Sequence, residues 1–207
     1  NNPALKDFGL RGIEEIIRDP AALARDLERV RIHIPDDLNT PREWEDIARD
    51  MLGHARVLFI VNRRDEARDL YRILKDKGAE DGLYHLSALM CPAHRSAVIE
   101  EIRDRLKKDE TAPVRVVSTQ LIEAGVDIDF PVVYRAMAGL DSIAQAAGRC
   151  NREGRLGPGG GNVFVFVPPK PAPVGLLRKA EESGREVLRG LPESGEDFTS
   201  PDIFLRY

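Results

Sequence analysis

Hydrophobic and polar positions follow two periods along this chain. Val57-Leu-Phe-Ile-Val61 is an unbroken apolar run with the length and β-branched content of a buried strand, predicted over Arg56 to Asn62. Immediately after it, Ala67, Leu70, Tyr71 and Leu74 recur at i, i+3, i+4 and i+7, which is one helical face, and Gly78 is placed to stop that helix. The alternation continues. A short strand is predicted at Leu83 to Leu86, and Pro92 opens a helix with Val98, Ile102 and Leu106 on one stripe. Strands are expected at Val114 to Ser118 and Val132 to Arg135. A helix is expected from about Ser142, capped by Asp141, and a last strand at Asn162 to Val167. Strands alternating with helices predict an α/β fold, a mostly parallel sheet flanked by helices on both faces. Ligands of such sheets lie beyond the carboxyl ends of the strands.

The flanks carry weaker patterns. Asp19-Pro20 reads as a cap and first helical position leading into Ala21 to Val30. Arg31 to Ile34 alternates like a short strand. Thr40-Pro41-Arg42-Glu43 reads as a capping box, predicting a helix from Pro41 to about Leu52. Pro168 to Pro173 looks like a linker. Val174, Leu177 and the Val187-Leu188 pair suggest a helix beyond it. The expected organisation is a helical N-terminal flank (1–50), a core (51–168) and a Pro-rich linker with a C-terminal tail (169–207).

Composition narrows the class. The 207 residues carry 31 Lys and Arg against 35 Asp and Glu, a formal charge of −4. That balance argues against a nucleic-acid binder held by bulk charge but leaves room for a local basic groove. Hydrophobic content of 42% is enough for a core. The longest apolar run is five residues, far short of the roughly 20 that span a bilayer, so no membrane association is expected. The opening residues lack a leader pattern, and two cysteines are too few for a disulfide framework. A cytoplasmic location with reduced thiols is expected.

Chemistry is concentrated in three segments. On a continuous helix, Asp141 to Arg152 would place Ile143, Ala146, Ala147 and Cys150 on one face, and Gln145, Gly148, Arg149 and Arg152 on the other. Two guanidiniums and a carboxamide around a residue without a side chain suit phosphate recognition, although a solvated charged face has the same pattern. Ser118 and Thr119 end a strand, where hydroxyls and free N–H groups can hold a nucleic-acid phosphate. Gly125 and Asp127 follow, with a simple turn as the plainer reading. His94 and Arg95 fall in the first turn after Pro92. Arg95 is a phosphate-contact candidate there, whereas a local hydrogen bond is the preferred reading of His94. Asp65-Glu66 is read as exposed helix-start charge rather than a metal-binding box. No Gly-x-x-x-x-Gly-Lys-Ser/Thr loop is present, and the His and Cys residues lack metal-ligand spacing, so no metal site is expected.

Gln145-Ala-Ala-Gly-Arg-Cys-Asn-Arg152 resembles motif VI of superfamily 2 helicases, Q-x-x-G-R-x-x-R. Ser118-Thr-Gln-Leu-Ile-Glu-Ala-Gly-Val-Asp127 resembles their motif V, and Val57 to Leu74 resembles the strand and helix of motif IV. With His85 to Arg95 and Asp127-Ile-Asp-Phe-Pro131, the nearest likeness is to the CRISPR-associated helicase–nuclease of type I systems. The resemblance covers about Val57 to Val167 and implies a second RecA-like domain.

By that resemblance, ATP and Mg2+ would be bound in a cleft completed by a first RecA-like domain, with none held by this chain alone. Single-stranded DNA would cross both domains. An HD nuclease domain and the Cascade surveillance complex would be further partners. Gln145 would position the attacking water, Arg149 and Arg152 would act as arginine fingers, and Gly125 and Asp127 would line the nucleotide edge. Thr119, Ser118 and Arg95 would hold DNA. The chain alone is expected to be inactive. The alternatives are a helicase domain of another translocase, such as a restriction enzyme, and a docking module for Cascade or an inhibitor.

Overall fold

The computed structural model describes residues 29–108, 111–123, 125–194 and 203. The predicted helix over 21–30 therefore lies outside the described residues, except that Val30 belongs to a strand. Six strands form one sheet: β1 (Val30–His33), β2 (Arg56–Val61), β3 (Leu83–Leu86), β4 (Val114–Thr119), β5 (Val132–Ala136) and β6 (Gly161–Phe166). Their order is β1-β6-β5-β2-β4-β3 and every pairing is parallel. Among the described residues, five α-helices accompany them: α1 (Trp44–Leu52), α2 (Arg64–Asp76), α3 (Pro92–Lys108), α4 (Leu140–Ala147) and α5 (Leu176–Ser194). The α/β expectation and the strand positions are borne out.

The central strand β2 is buried on both faces, which is why its sequence is continuously apolar. Val57, Phe59 and Val61 pack with Ile47, Met51, Ala67, Leu70 and Leu74 of α1 and α2. Leu58 and Ile60 point the other way, toward Ile102 of α3, Ala146 of α4, and Ile122, Ile128 and Phe130 of the β4–β5 connection. A third cluster joins Leu140 and Ile143 to Val165, Leu188 and Ile203. The connections after β2 and β4 thus leave on opposite faces, opening the carboxyl edge of the sheet between them.

Several sequence expectations need correction. The N-terminal flank, whose packing the sequence leaves open, joins the core through β1, which pairs with β6, and α1, which is buried against β2. Helix α1 starts at Trp44 rather than Pro41. The Thr40 hydroxyl donates to Asp37 instead of capping, and the Arg42 N–H donates to the Val167 carbonyl at 2.9 Å, which holds this stretch beside the end of β6. Pro168 to Pro173 is not a free linker. Ala172 is buried and its N–H donates to the Glu181 carboxylate at 2.7 Å. The tail helix is present as α5.

Candidate nucleotide and strand site

The segment carrying the two arginines departs from one continuous helix. Helix α4 begins at Leu140 with Gly139 at its cap, so Asp141 lies in the first turn instead of capping it. It ends at Ala147, where Gly148 takes the C-cap, and the N–H groups of Arg149 and Cys150 donate three residues back to Ala146 and Ala147. The chain then runs beside Phe130. The Phe130 N–H donates to the Arg149 carbonyl, and the Asn151 N–H to the Phe130 carbonyl. This pairing draws residues 149–152 off the helix axis, so Arg149 and Arg152 do not share a helical face with Gln145.

Their new positions define the edge. Gln145 is exposed on α4. Arg149 is buried, 7% exposed, and its guanidinium grips the turn after β4. Nε donates to the Ile122 carbonyl at 3.0 Å and Nη2 to the Glu123 carbonyl at 2.6 Å. Burial and the neighbouring Arg152 both push its pKa down. Arg152 is turned outward, with Nε 3.0 Å from Asp127 Oδ1 and a side chain 45% exposed. Asp127 is itself open, and its carbonyl accepts from Arg103 of α3 at 3.0 Å. Gly125 is exposed at φ +71°, a left-handed conformation that glycine adopts without strain.

Two residues that sequence reasoning missed shape this edge. The Asp129 carboxylate accepts from the N–H groups of Arg152 and Glu153, at 2.8 and 3.2 Å. Asn151 has φ 46°, and its amide bonds Arg29, Leu156 and Gly157 main chain, which holds the turn open. An Asp or Asn beside Gly-rich sequence is the only local signal for either, and it also fits any ordinary turn. Cys150 is buried against the Pro131 and Asn162 carbonyls, and burial pushes its thiol up to about 12.

On the strand-contact side, Ser118 is wholly buried and its hydroxyl donates to the Thr119 carbonyl at 2.9 Å. The hydroxyl is thus turned into the protein rather than toward the sheet edge. Thr119 is 7% exposed and leads into a single turn of 3-10 helix, Gln120–Ile122. Arg95 lies half-buried in the first turn of α3, where its N–H donates to the Cys91 carbonyl. Nearby strand ends line a groove of about 570 Å³, bordered by Asn62, Arg63, Arg64, Arg68 and His85 together with Asp65, which pairs with Arg63. Its three arginines were not singled out in the sequence because no spacing marks them. The expectation of exposed charge at Asp65-Glu66 is wrong for Glu66, which is fully buried. Among the described residues, no group of three or more His, Cys, Asp or Glu is arranged to hold a metal ion, and no helix is long and apolar enough to cross a membrane.

Residues 53–155 match the family described as CRISPR-associated nuclease/helicase Cas3, C-terminal. A Cas3 nuclease/helicase of Methanothermobacter thermautotrophicus is 30% identical over 165 residues, covering 73% of this chain and 19% of that protein. Another, of Haloferax volcanii, is 50% identical over 76 residues, 37% of this chain and 8% of that protein. The chain therefore spans less than a fifth of the length of these curated relatives. In fold, the crystal structure of T. fusca Cas3 with ATP matches with a TM-score of 0.64 and 18% identity, over 85% of this chain and 22% of that one. The parallel sheet, the order of the two motifs and these likenesses agree, and residues 53–155 of this chain belong to the CRISPR-associated nuclease/helicase Cas3 family as a second RecA-like domain.

Proposed function

We propose that this chain is the second motor domain of an ATP-dependent single-stranded DNA translocase and nuclease acting in type I CRISPR interference. The observation that carries the reading is the open pairing of Arg152 with Asp127 at the carboxyl edge, with Arg149 directly behind it. An exposed guanidinium beside a loop containing Gly125 suits the developing charge of a γ-phosphate. The residues fit ATP as half a site. Gln145 orients the attacking water, Arg152 neutralises the departing phosphoryl group, and Asp127 and Gly125 line the nucleotide edge. Arg149 acts with them while gripping the turn after β4. A first RecA-like domain supplies the phosphate loop and the carboxylates for Mg2+, for which this chain has no equivalent loop.

Thr119, supported by Ser118, and Arg95 hold phosphates of the strand. The groove bordered by Arg63, Arg64 and Arg68 adds cations near them, although Arg63 pairs with Asp65 and Arg68 with Asp69, so Arg64 carries most of its free positive charge. The HD nuclease domain of the same protein and the Cascade complex are the partners this reading calls for.

The test uses the full-length protein. Arg152→Ala is expected to lower ATP turnover by on the order of 10³ while single-stranded DNA binding survives. Unchanged turnover would remove Arg152 from its assigned role and the motor reading with it.

A further inference from the structure

A buried charged cluster lies behind the nucleotide edge, and the reaction outlined above gives it no task. Arg135 of β5 is wholly buried. Its Nε lies 2.7 Å from Glu123 Oε1, and its Nη1 donates to Asn62 Oδ1 at 2.7 Å and to the Ala136 carbonyl at 2.8 Å. Asn62, at the end of β2, donates in turn to the Met137 carbonyl at 2.7 Å. Glu123 is 6% exposed, and Arg135 Nε and Nη2 and Glu123 Oε1 make no aligned hydrogen bond among the described residues, so the pair is held by charge at 2.7 Å. A buried ion pair with an unsatisfied donor is a poor device for stability, because an apolar pair of similar volume often does as well or better. What the ions add is an attraction, undamped by water, that holds the Glu123 side chain at one place on the sheet.

The position of the pair gives that attraction a use. Glu123 caps the single 3-10 turn that begins after Thr119, and Gly125 and Asp127 follow it in the chain. Its side chain is tied to the sheet by Arg135, while its main-chain carbonyl and that of Ile122 are held by Arg149. Three residues beyond Arg149, Arg152 pairs with Asp127. One short turn is therefore clamped from the sheet by Arg135 and from the nucleotide edge by Arg149. Thr119 sits at its start.

Resting on the motor reading above, we propose that the Arg135–Glu123 pair is a positioning device that transmits displacement of Arg149 and Arg152 to the strand-contact residue Thr119. The pair touches neither nucleotide nor DNA. It gives the turn a rigid anchor on the sheet, so a shift of Arg149 moves the turn as a unit instead of being absorbed by local deformation. Coupling of this kind is reciprocal for binding: nucleotide changes strand affinity by the same factor as strand changes nucleotide affinity.

The experiment uses the full-length protein, comparing the unaltered form with Glu123→Gln and with the double variant Glu123→Leu, Arg135→Met. ATP turnover is measured with and without saturating single-stranded DNA. Strand affinity is measured with and without a non-hydrolysable ATP analogue, and thermal melting reports the fold. In both variants, the stimulation of kcat by DNA is expected to fall at least tenfold, with KM for ATP within about threefold, and the analogue no longer alters strand affinity. The apolar double variant is expected to melt near the unaltered protein and still lack coupling, which a merely structural role would not produce. Full stimulation in either folded variant overturns the proposal and leaves the motor reading standing. Absence of any stimulation in the unaltered protein removes the motor reading, and this inference falls with it.

Discussion

Glu66 stands in the first turn of α2 with no exposed surface, and neither carboxyl oxygen has a hydrogen-bond partner among the described residues. Burial, reinforced by the adjacent Asp65, pushes its pKa from 4.5 up to about 8, against the opposing pull of Arg63 and Lys170. Burial also acts to raise Asp65, but hydrogen bonds from Lys170 and Arg63 outweigh it and hold that carboxyl down to about 2. The folded state therefore holds a proton on Glu66 that the unfolded chain releases near pH 4.5. This contribution to stability is complete below pH 4.5 and is lost as pH rises through 8. Glu66→Gln removes that loss. Melting followed from pH 4.5 to 8.5 should show the variant pulling ahead as pH rises, by on the order of a few kcal/mol at the top of the range. A constant gap across the range would contradict the assignment. The sequence could not reveal this burial, because Lys170, from a segment over a hundred residues later, lies above a position that α2 alone would leave at its exposed start. The position of Arg149 is hidden for a related reason. Helical periodicity continues in the sequence past Gly148, and nothing local announces that Cys150 will pair with Phe130.

At the scale of elements, the apolar periods located every strand of the sheet to within about a residue, because buried strands and amphipathic helices declare themselves locally. What they did not give was how the ends attach. Helix α5 illustrates this. It packs Leu188 onto Leu140 and Ile143, and its Glu181 accepts the Ala172 N–H while pairing with Arg185. Close approach is permitted by Gly184, where an added Cβ would lie 2.5 Å from the Ala138 carbonyl oxygen. Gly190, on the same helix, has open space around that position. The two glycines should therefore respond in opposite directions. Gly184→Ala is expected to destabilise by about 1–3 kcal/mol, since backbone rather than a flexible side chain must yield. Gly190→Ala is expected to stabilise by up to about 1 kcal/mol through helix propensity alone. At roughly 2–4 °C per kcal/mol for a chain of this size, thermal melting separates the two, and equal effects would show that α5 is not docked at Gly184.

Over the whole molecule, the groups proposed to act on phosphate make up only part of a site. In the proposed reading Arg149 and Arg152 stabilise charge and Gln145 orients the attacking water, but the sequence contains no phosphate loop to hold the β-phosphate. The chain also spans less than a fifth of each curated relative described above. An arginine finger lowers the barrier only for a phosphoryl group already fixed in line with its nucleophile, so isolated fingers have nothing to act on. The 207-residue chain alone should consequently show no ATP turnover above that of its own Arg149→Ala, Arg152→Ala double variant, with or without single-stranded DNA. In the full-length protein, the same pair of substitutions should abolish turnover. If the isolated chain instead hydrolysed ATP in an arginine-dependent way, the site would be complete within these residues and the division of labour between two RecA-like domains would be wrong. If the full-length protein kept its turnover without both arginines, the edge formed by Asp127, Arg149 and Arg152 would not face the nucleotide at all.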